Sequence, residues 1–252
     1  MKRIISAVLA FAMCASVAVA ASGCGCQKKD SGSDKKSSGA ASANAPGYKI
    51  EPTSPDFTEG DFGFYSISDK EVILTQYNGK SKNIEIPATA QGAKVIVVGN
   101  NVFENSDIES VKIPEGVTDI NKRAFAGCKK LKSVSLPKTL KVIGVNAFWH
   151  CISLQEISLP SSLKKIDWYA FSATGLKKVS IPESNTLSSL SEKVFYQCSE
   201  LTEVTLPLTI TKIADDTFAE CADGFTIKAY TGSYGVSYAK SHKIKLEEMK
   251  RK

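Results

Sequence analysis

Apolar and polar positions alternate in short bursts that recur at a fixed interval along the second half of the chain. Five copies of one phrase run from Val111 to Phe218: VKIPEGVTDINKRAF, VSLPKTLKVIGVNAF, ISLPSSLKKIDWYAF, VSIPESNTLSSLSEKVF and VTLPLTITKIADDTF. Each opens on two or three alternating apolar residues, which is the period of a half-buried strand. Proline then ends the strand by removing a ladder donor. Within the copy from Leu131 to Cys151, Leu131, Val134 and Leu136 point inward, Leu140 and Ile143 return along the back, and Ala147-Phe148 close the turn. With one degenerate copy added, the closing aromatics are Phe103, Phe125, Phe148, Phe171, Phe195 and Phe218, spaced 22, 23, 23, 24 and 23 residues apart. A fixed period in the twenties means stacked coils. No single coil can bury its apolar set alone, but a stack makes one continuous core.

The pattern resembles the BspA-like branch of the leucine-rich repeats, a family of bacterial surface proteins. The L-x-x-V-x-L-P strand, the I-x-x-x-A-F turn and the C-x-x-L opening of the next copy carry the resemblance, over about Ile84 to Ala229. The expected fold is mostly β: a leucine-rich-repeat solenoid of about 23-residue coils, with short strands and turn-like convex segments. Thr174-Gly175-Leu176 is one residue short and Glu183–Phe195 two residues long, so a local bulge is expected there, with the register recovered by Leu201. A β N-terminal cap is expected over 48–99, from the alternating segments Phe62–Ile67, Val72–Thr75 and Ile84–Ile86. The solenoid occupies 100–229. A C-terminal cap with a basic tail occupies 230–252, with a short helix at Ser233–Ser241 and a strand at Lys243–Leu246. End coils need such covers.

The start of the chain has a different character. Lys2 and Arg3 precede an apolar run from Ile4 to Ala21, and small residues with Gly-Cys follow, which reads as an export signal over 1–23. A transmembrane helix is the alternative for this run; either way the remaining chain lies outside the cytoplasm. Ala21-Ser22-Gly23-Cys24 resembles a bacterial lipobox, in which Cys24 would become the lipidated first mature residue. Ala21 stands where a lipobox usually has Leu. The rival is cleavage after Ala20, at Ala18-Val19-Ala20, which would release the protein. Two acyl chains suffice for stable anchoring. Residues 24–47 hold Lys, Ser, Gly and Ala with almost no large apolar side chain, the composition of a flexible tether.

The formal charge of +6 includes Lys2 and Arg3 of the signal, and the tether carries four Lys against two Asp. The folded part is left close to neutral, which is no nucleic-acid footprint. Cys128, Cys151, Cys198 and Cys221 each lie three residues after a turn Phe, where other copies hold Ser106 and Thr174. A slot that takes Ser, Thr or Cys is a small-residue packing position, so buried free thiols are the favoured reading. Disulfides between neighbouring coils remain the alternative in an exported chain. His150 and His242 have no local catalytic or metal-binding motif, and Asp215-Asp216 reads as a turn cap. No catalytic residue, metal site or cofactor is assigned.

Two surfaces are candidates for binding. The outward strand positions, among them Ser133, Ser135, Glu156, Ser158, Glu203 and Thr205, form a concave hydroxyl ladder with mixed charges. The turn edge instead gains large aromatics in three consecutive coils: Trp149, His150, Trp168, Tyr169 and Tyr196. Trp and Tyr favour interface hot spots, but they also pack well between adjacent turns, and both readings stand. The resemblance implies a lipid-anchored, adhesion-type module that binds an extracellular protein or glycan. An envelope scaffold docking another surface protein is the alternative.

Overall fold

The computed structural model describes residue 52 and residues 54–250. The signal segment, Cys24 and the tether read from the sequence lie outside the described residues. A compact unit, Ala40–Lys252, contains the whole described core.

The unit opens with an antiparallel meander of β1 (Phe57–Glu59), β2 (Phe62–Ser68) and β3 (Glu71–Tyr77). β4 (Asn83–Glu85), β5 (Thr89–Ala90) and β6 (Ala93–Val98) follow. The chain then winds in coils, each contributing short segments to two opposed faces and a turn along one edge. In chain order the remaining elements are β7 (Ser110–Lys112), β8 (Asp119–Ile120), β9 (Ser133–Ser135), β10 (Val142–Ile143), β11 (Lys165–Ile166), β12 (Lys178–Ser180) and β13 (Ser189–Leu190). β14 (Glu203–Leu206), β15 (Lys212–Ile213), β16 (Thr226–Tyr230), α1 (Tyr234–Ser241) and β17 (Lys245–Met249) complete the unit.

Parallel pairing sets the register. On the strand face β4, β7 and β9 align Ile84, Val111 and Val134, and β12, β14, β16 and β17 align Val179, Val204, Ile227 and Leu246. On the return face β3, β6, β8, β10 and β11 run side by side, followed by the separate pair β13–β15. β4 and β6 already belong to these two ladders. The coil stack therefore begins inside the stretch read from sequence as the N-terminal cap, and among the described residues β1–β3 cover its end.

The core follows the turn phenylalanines. Phe103, Phe125, Phe148, Phe171, Phe195 and Phe218 form one column, with neighbouring centroids 5.1, 5.1, 5.3, 5.6 and 5.6 Å apart and planes within 7° of parallel. Tyr77 of β3 covers one end at 5.3 Å from Phe103, while Phe225 and Tyr238 of α1 meet Phe218 at the other. The caps are continuous with the core because they supply the rings that end coils lack.

The third repeat departs from expectation. Gln155–Leu159 is not a strand, although its sequence matches its neighbours. Ile113 N–H donates to Ser135 O, and Ile181 N–H to Thr205 O, both at 3.0 Å, but no equivalent bond joins Leu136 to Ser158. The interruption falls in the coil before the shortened turn. There Gly175 N–H reaches back to Cys151 O at 3.3 Å. A Cβ on Gly175 would stand 2.2 Å from Ile152 O. Gly175→Ala is therefore expected to lower stability by about 1–3 kcal/mol, since the backbone must shift; an unchanged urea midpoint would contradict this. The two extra residues before Phe195 are taken up without disturbing β12–β14. Ser184 Oγ donates to Leu163 O at 2.8 Å and accepts from the N–H groups of Thr186 and Leu187, a side-chain-supported turn on the return path.

Candidate binding surface along the turn edge

Each turn has a common backbone. From the Phe103 turn to the Phe195 turn the residues two before and two after the phenylalanine are left-handed, as at Arg123 (φ 56°), Tyr169 (φ 57°) and His150 (φ 60°), with Gly127 (φ 71°) the glycine of these rows; in the Phe218 turn Glu220 (φ 59°) is left-handed and Asp216 is not. Left-handed backbone costs a residue with a Cβ roughly 1–2 kcal/mol. Hydrogen bonds between coils hold it in place: the N–H groups of Arg123, Phe125 and Gly127 donate to the carbonyls of Val145, Ala147 and Trp149 at 3.0, 2.8 and 2.7 Å. The three-bond pattern repeats through the Phe171 turn, and at the Phe195 turn two of the three bonds remain, from Phe195 to Thr217 O and from Gln197 to Ala219 O, so side chains along this edge stand on a rigid lattice.

The five aromatic candidates all lie on the edge but form two clusters and one isolated ring. Trp149 is partly covered by the Arg123 guanidinium, 5.6 Å above its ring, and His150 lies tilted beside it at 5.3 Å. Arg123 is itself held by Glu104, with Nε donating to Oε1 at 2.9 Å. Tyr169 and Tyr196 meet edge-on at 6.4 Å, and the Lys193 ammonium sits 5.4 and 5.5 Å from their rings. The Tyr196 hydroxyl donates to Glu220 Oε1 at 2.6 Å, and Gln197 Nε2 donates to Oε2 at 2.9 Å. These bonds hold Glu220 below the ordinary carboxylate range, and the carboxylate pushes Tyr196 up. Trp168 stands between the clusters, 54% exposed. Asp167 fixes its backbone, accepting Trp168 N–H at 3.0 Å while bonded to Lys165 Nζ at 2.7 Å.

Sequence reasoning missed Arg123, Lys193 and Glu220. They share alignment columns with the aromatics, and reading those columns for charge would have found them. Asp215 and Asp216 do not cap their turn: among the described residues no backbone N–H donates to either carboxylate. Asp216 faces Lys193 at 3.8 Å and Asp215 faces His242 Nε2 at 3.4 Å.

The strand face carries its charges in pairs across coils. Glu109 bridges Lys82 and Lys132, and Glu203 bridges Lys178 and Lys228. Pairing of this kind leaves mainly hydroxyls free there.

The four repeat cysteines are unbridged, and each thiol donates to the phenylalanine carbonyl of the preceding coil: Cys128 to Phe103, Cys151 to Phe125, Cys198 to Phe171 and Cys221 to Phe195, at 2.9–3.4 Å. Burial pushes the Cys128 thiol up to about 11 and Cys221 to about 12, from an ordinary 9.0. The sign for folding follows. Above pH 9 the unfolded chain loses these protons and the folded chain keeps them, so stability falls as pH rises from about 9 towards 12. Thiol reagents are expected to label these cysteines only after unfolding. Labelling of the folded chain at pH 8 would contradict the geometry.

Ser241, His242 and Asp215 form a superficially catalytic trio. However, Ser241 Oγ donates to Tyr238 O at 2.9 Å, and His242 Nδ1 lies 3.0 Å from the same carbonyl, so both side chains finish the helix end. A hollow of about 610 Å³ lined by Pro55, Gln76, Asn101 and Arg123, among others, has no carboxylate, imidazole or thiol among the described residues that line it. Among the described residues no three His, Cys, Asp or Glu side chains converge as a metal site.

Comparison with known proteins places this architecture. The BspA type leucine-rich-repeat region matches residues 96–223 in six copies, and the chain belongs to that family. A leucine-rich-repeat protein of T. pallidum superposes with a TM-score of 0.57 at 24% identity, over 74% of this chain and 95% of that one. A leucine-rich cell surface protein from Faecalibacterium prausnitzii superposes with a TM-score of 0.57 at 28% identity, over 71% of this chain and 55% of that one. The pneumococcal vaccine antigen PcpA gives 0.54 at 22% identity, over 75% of this chain and 48% of that one. No curated protein matches the chain in sequence.

Proposed function

We propose that this chain is an exported, lipid-anchored interaction module whose turn edge binds an extracellular protein or glycan. The observation that carries the reading is Trp168, a large ring left 54% exposed on a backbone locked from coil to coil. An exposed aromatic on a rigid lattice loses little ordering entropy when a partner covers it. The flanking clusters add half-covered rings with cations and carboxylates in fixed positions, the mixture that protein and sugar surfaces both engage. Paired charges on the strand face make that side the weaker candidate. The description of the F. prausnitzii relative as a cell surface protein supports an outward location, as do the signal segment and Cys24 of the sequence.

The test is a binding screen of Ala40–Lys252 against immobilised extracellular-matrix proteins and glycans. Saturable binding to one of them supports the reading. Binding to none would move the assignment to an envelope scaffold, with partners sought in the same membrane.

A further inference from the structure

The turn edge has a symmetry of sequence that the coil lattice turns into a symmetry of surface. Three residues before each phenylalanine stand Lys122, Val145, Trp168, Glu192 and Asp215. Two before stand Arg123, Asn146, Tyr169, Lys193 and Asp216, and one after stand Ala126, Trp149, Ser172, Tyr196 and Ala219. About the Phe171 coil, the first row runs from cation through Trp to anion, and the second from cation through Tyr to anion. The third runs small, aromatic, small, aromatic, small. The coil steps on either side of Phe171 are 5.1 and 5.3 Å in one direction and 5.6 and 5.6 Å in the other, so the ring spacing of the two arms nearly matches, while the turn backbone differs at the far end, where Asp216 is not left-handed as Arg123 is.

We propose that this edge is self-complementary and docks, antiparallel, onto the same edge of a second copy of the chain. The proposal rests on the reading of the turn edge as the interaction surface and names its partner. A two-fold axis lying in the contact plane, across the stack at the Phe171 coil, keeps each row opposite itself and reverses the coil order. Trp168 then meets Trp168 of the other copy, and Trp149 meets Tyr196. Lys122 meets Asp215 twice, and Arg123 approaches Asp216. Val145 and Asn146 face Glu192 and Lys193, so no like charges oppose one another in these rows. The parallel arrangement instead sets Lys122 against Lys122 and Asp215 against Asp215, and is disfavoured by repulsion.

The outermost charges are available for this pairing. Lys122 is exposed and makes no ion pair among the described residues, and the Asp215 side chain is 96% exposed, with His242 as its ionic neighbour. Arg123 and Asp216 are already engaged by Glu104 and Lys193, so they shape the local field more than they form new bonds. A contact of five turns is small, below the roughly 1,200 Å² of standard interfaces, which makes it a weak association. Weak pairing becomes effective between copies concentrated on one surface.

The test is sedimentation equilibrium of Ala40–Lys252 over a wide concentration range, at low and high salt. The expected result is a monomer–dimer equilibrium weakened by salt, since exposed charge pairs are screened. Lys122→Asp and Asp215→Lys, both at exposed positions, are each expected to weaken dimerisation by about tenfold or more. An equimolar mixture of the two variants recreates both opposite-charge pairs and is expected to restore it. Trp168→Ala is expected to abolish it. Thermal melting of each variant separates loss of pairing from loss of fold. A chain that stays monomeric throughout, or a dimer indifferent to the charge swap and not rescued in the mixture, overturns the proposal. If the monomeric chain still binds an immobilised protein or glycan through Trp168, only self-pairing falls and the turn edge remains the interaction surface. If that binding is also absent, both readings fall.

Discussion

Phe148→Ala is expected to destabilise the fold by about 3–5 kcal/mol, the cost of removing a fully buried ring from a close-packed core. The ring is wholly buried and stacked on both sides, 5.1 Å from Phe125 and 5.3 Å from Phe171. Its loss takes one of two stacking partners from each of Phe125 and Phe171 and leaves a cavity between them. A domain of ordinary stability has only about 5–15 kcal/mol in total. Coils are held mainly by their neighbours, so the damage falls at one junction. The urea transition is expected to move to lower denaturant and to broaden or split, as the halves on either side lose their coupling. A single sharp transition displaced by less than about 1 kcal/mol would show that the column is not the main support.

Trp168→Ala is expected to leave stability within about 0.5 kcal/mol, because the side chain is more exposed than buried. Its effect on binding is expected to be large: 2 kcal/mol or more, roughly 30-fold in affinity, as for an aromatic at the centre of a contact. Trp149→Ala serves as the contrast. That ring lies beneath Arg123, so its removal also frees a guanidinium held by Glu104, and a modest stability loss accompanies any change in binding. Equal affinities for the parent and Trp168→Ala, measured by titration against the partner found in the screen, would remove this ring from the contact.

The period, the phenylalanine column and the cysteine slot were legible in the sequence because each depends on spacing alone. A ring every 22 to 24 residues can stack only if the coils do. A slot shared by Ser106, Thr174 and four cysteines describes a small cavity beside the ring. What depends on the path between those anchors was not legible. Gln155–Leu159 carries a good strand sequence, yet the ladder is interrupted in the coil that precedes Gly175. Ile84 and Val95 looked like parts of a separate cap because their coil lacks most of the repeat phrase, although their strands join both ladders. At the left-handed turn positions Asn101, Asn105, Asn146 and Gly127 are of types that favour that backbone, a cue the repeat pattern alone does not use. Tyr169, His150 and Arg123 in the same rows gave no such sign. The candidate surface was legible as a set of aromatics. Its division by Lys193 and Arg123 was not, since Arg123 meets Trp149, and Lys193 meets Tyr169, from a neighbouring coil and only through the stack.

The most direct test of the turn edge as the contact surface is a hydroxyl-radical footprint of Ala40–Lys252, taken free and bound to its partner. Protection of Trp168, Tyr169, Tyr196 and Trp149, with the strand-face segments around Ser133–Ser135 and Glu203–Leu206 unchanged, is the expected result. Protection of those strand segments, with the turn-edge aromatics as reactive as in the free chain, would contradict the account and place binding on the strand face.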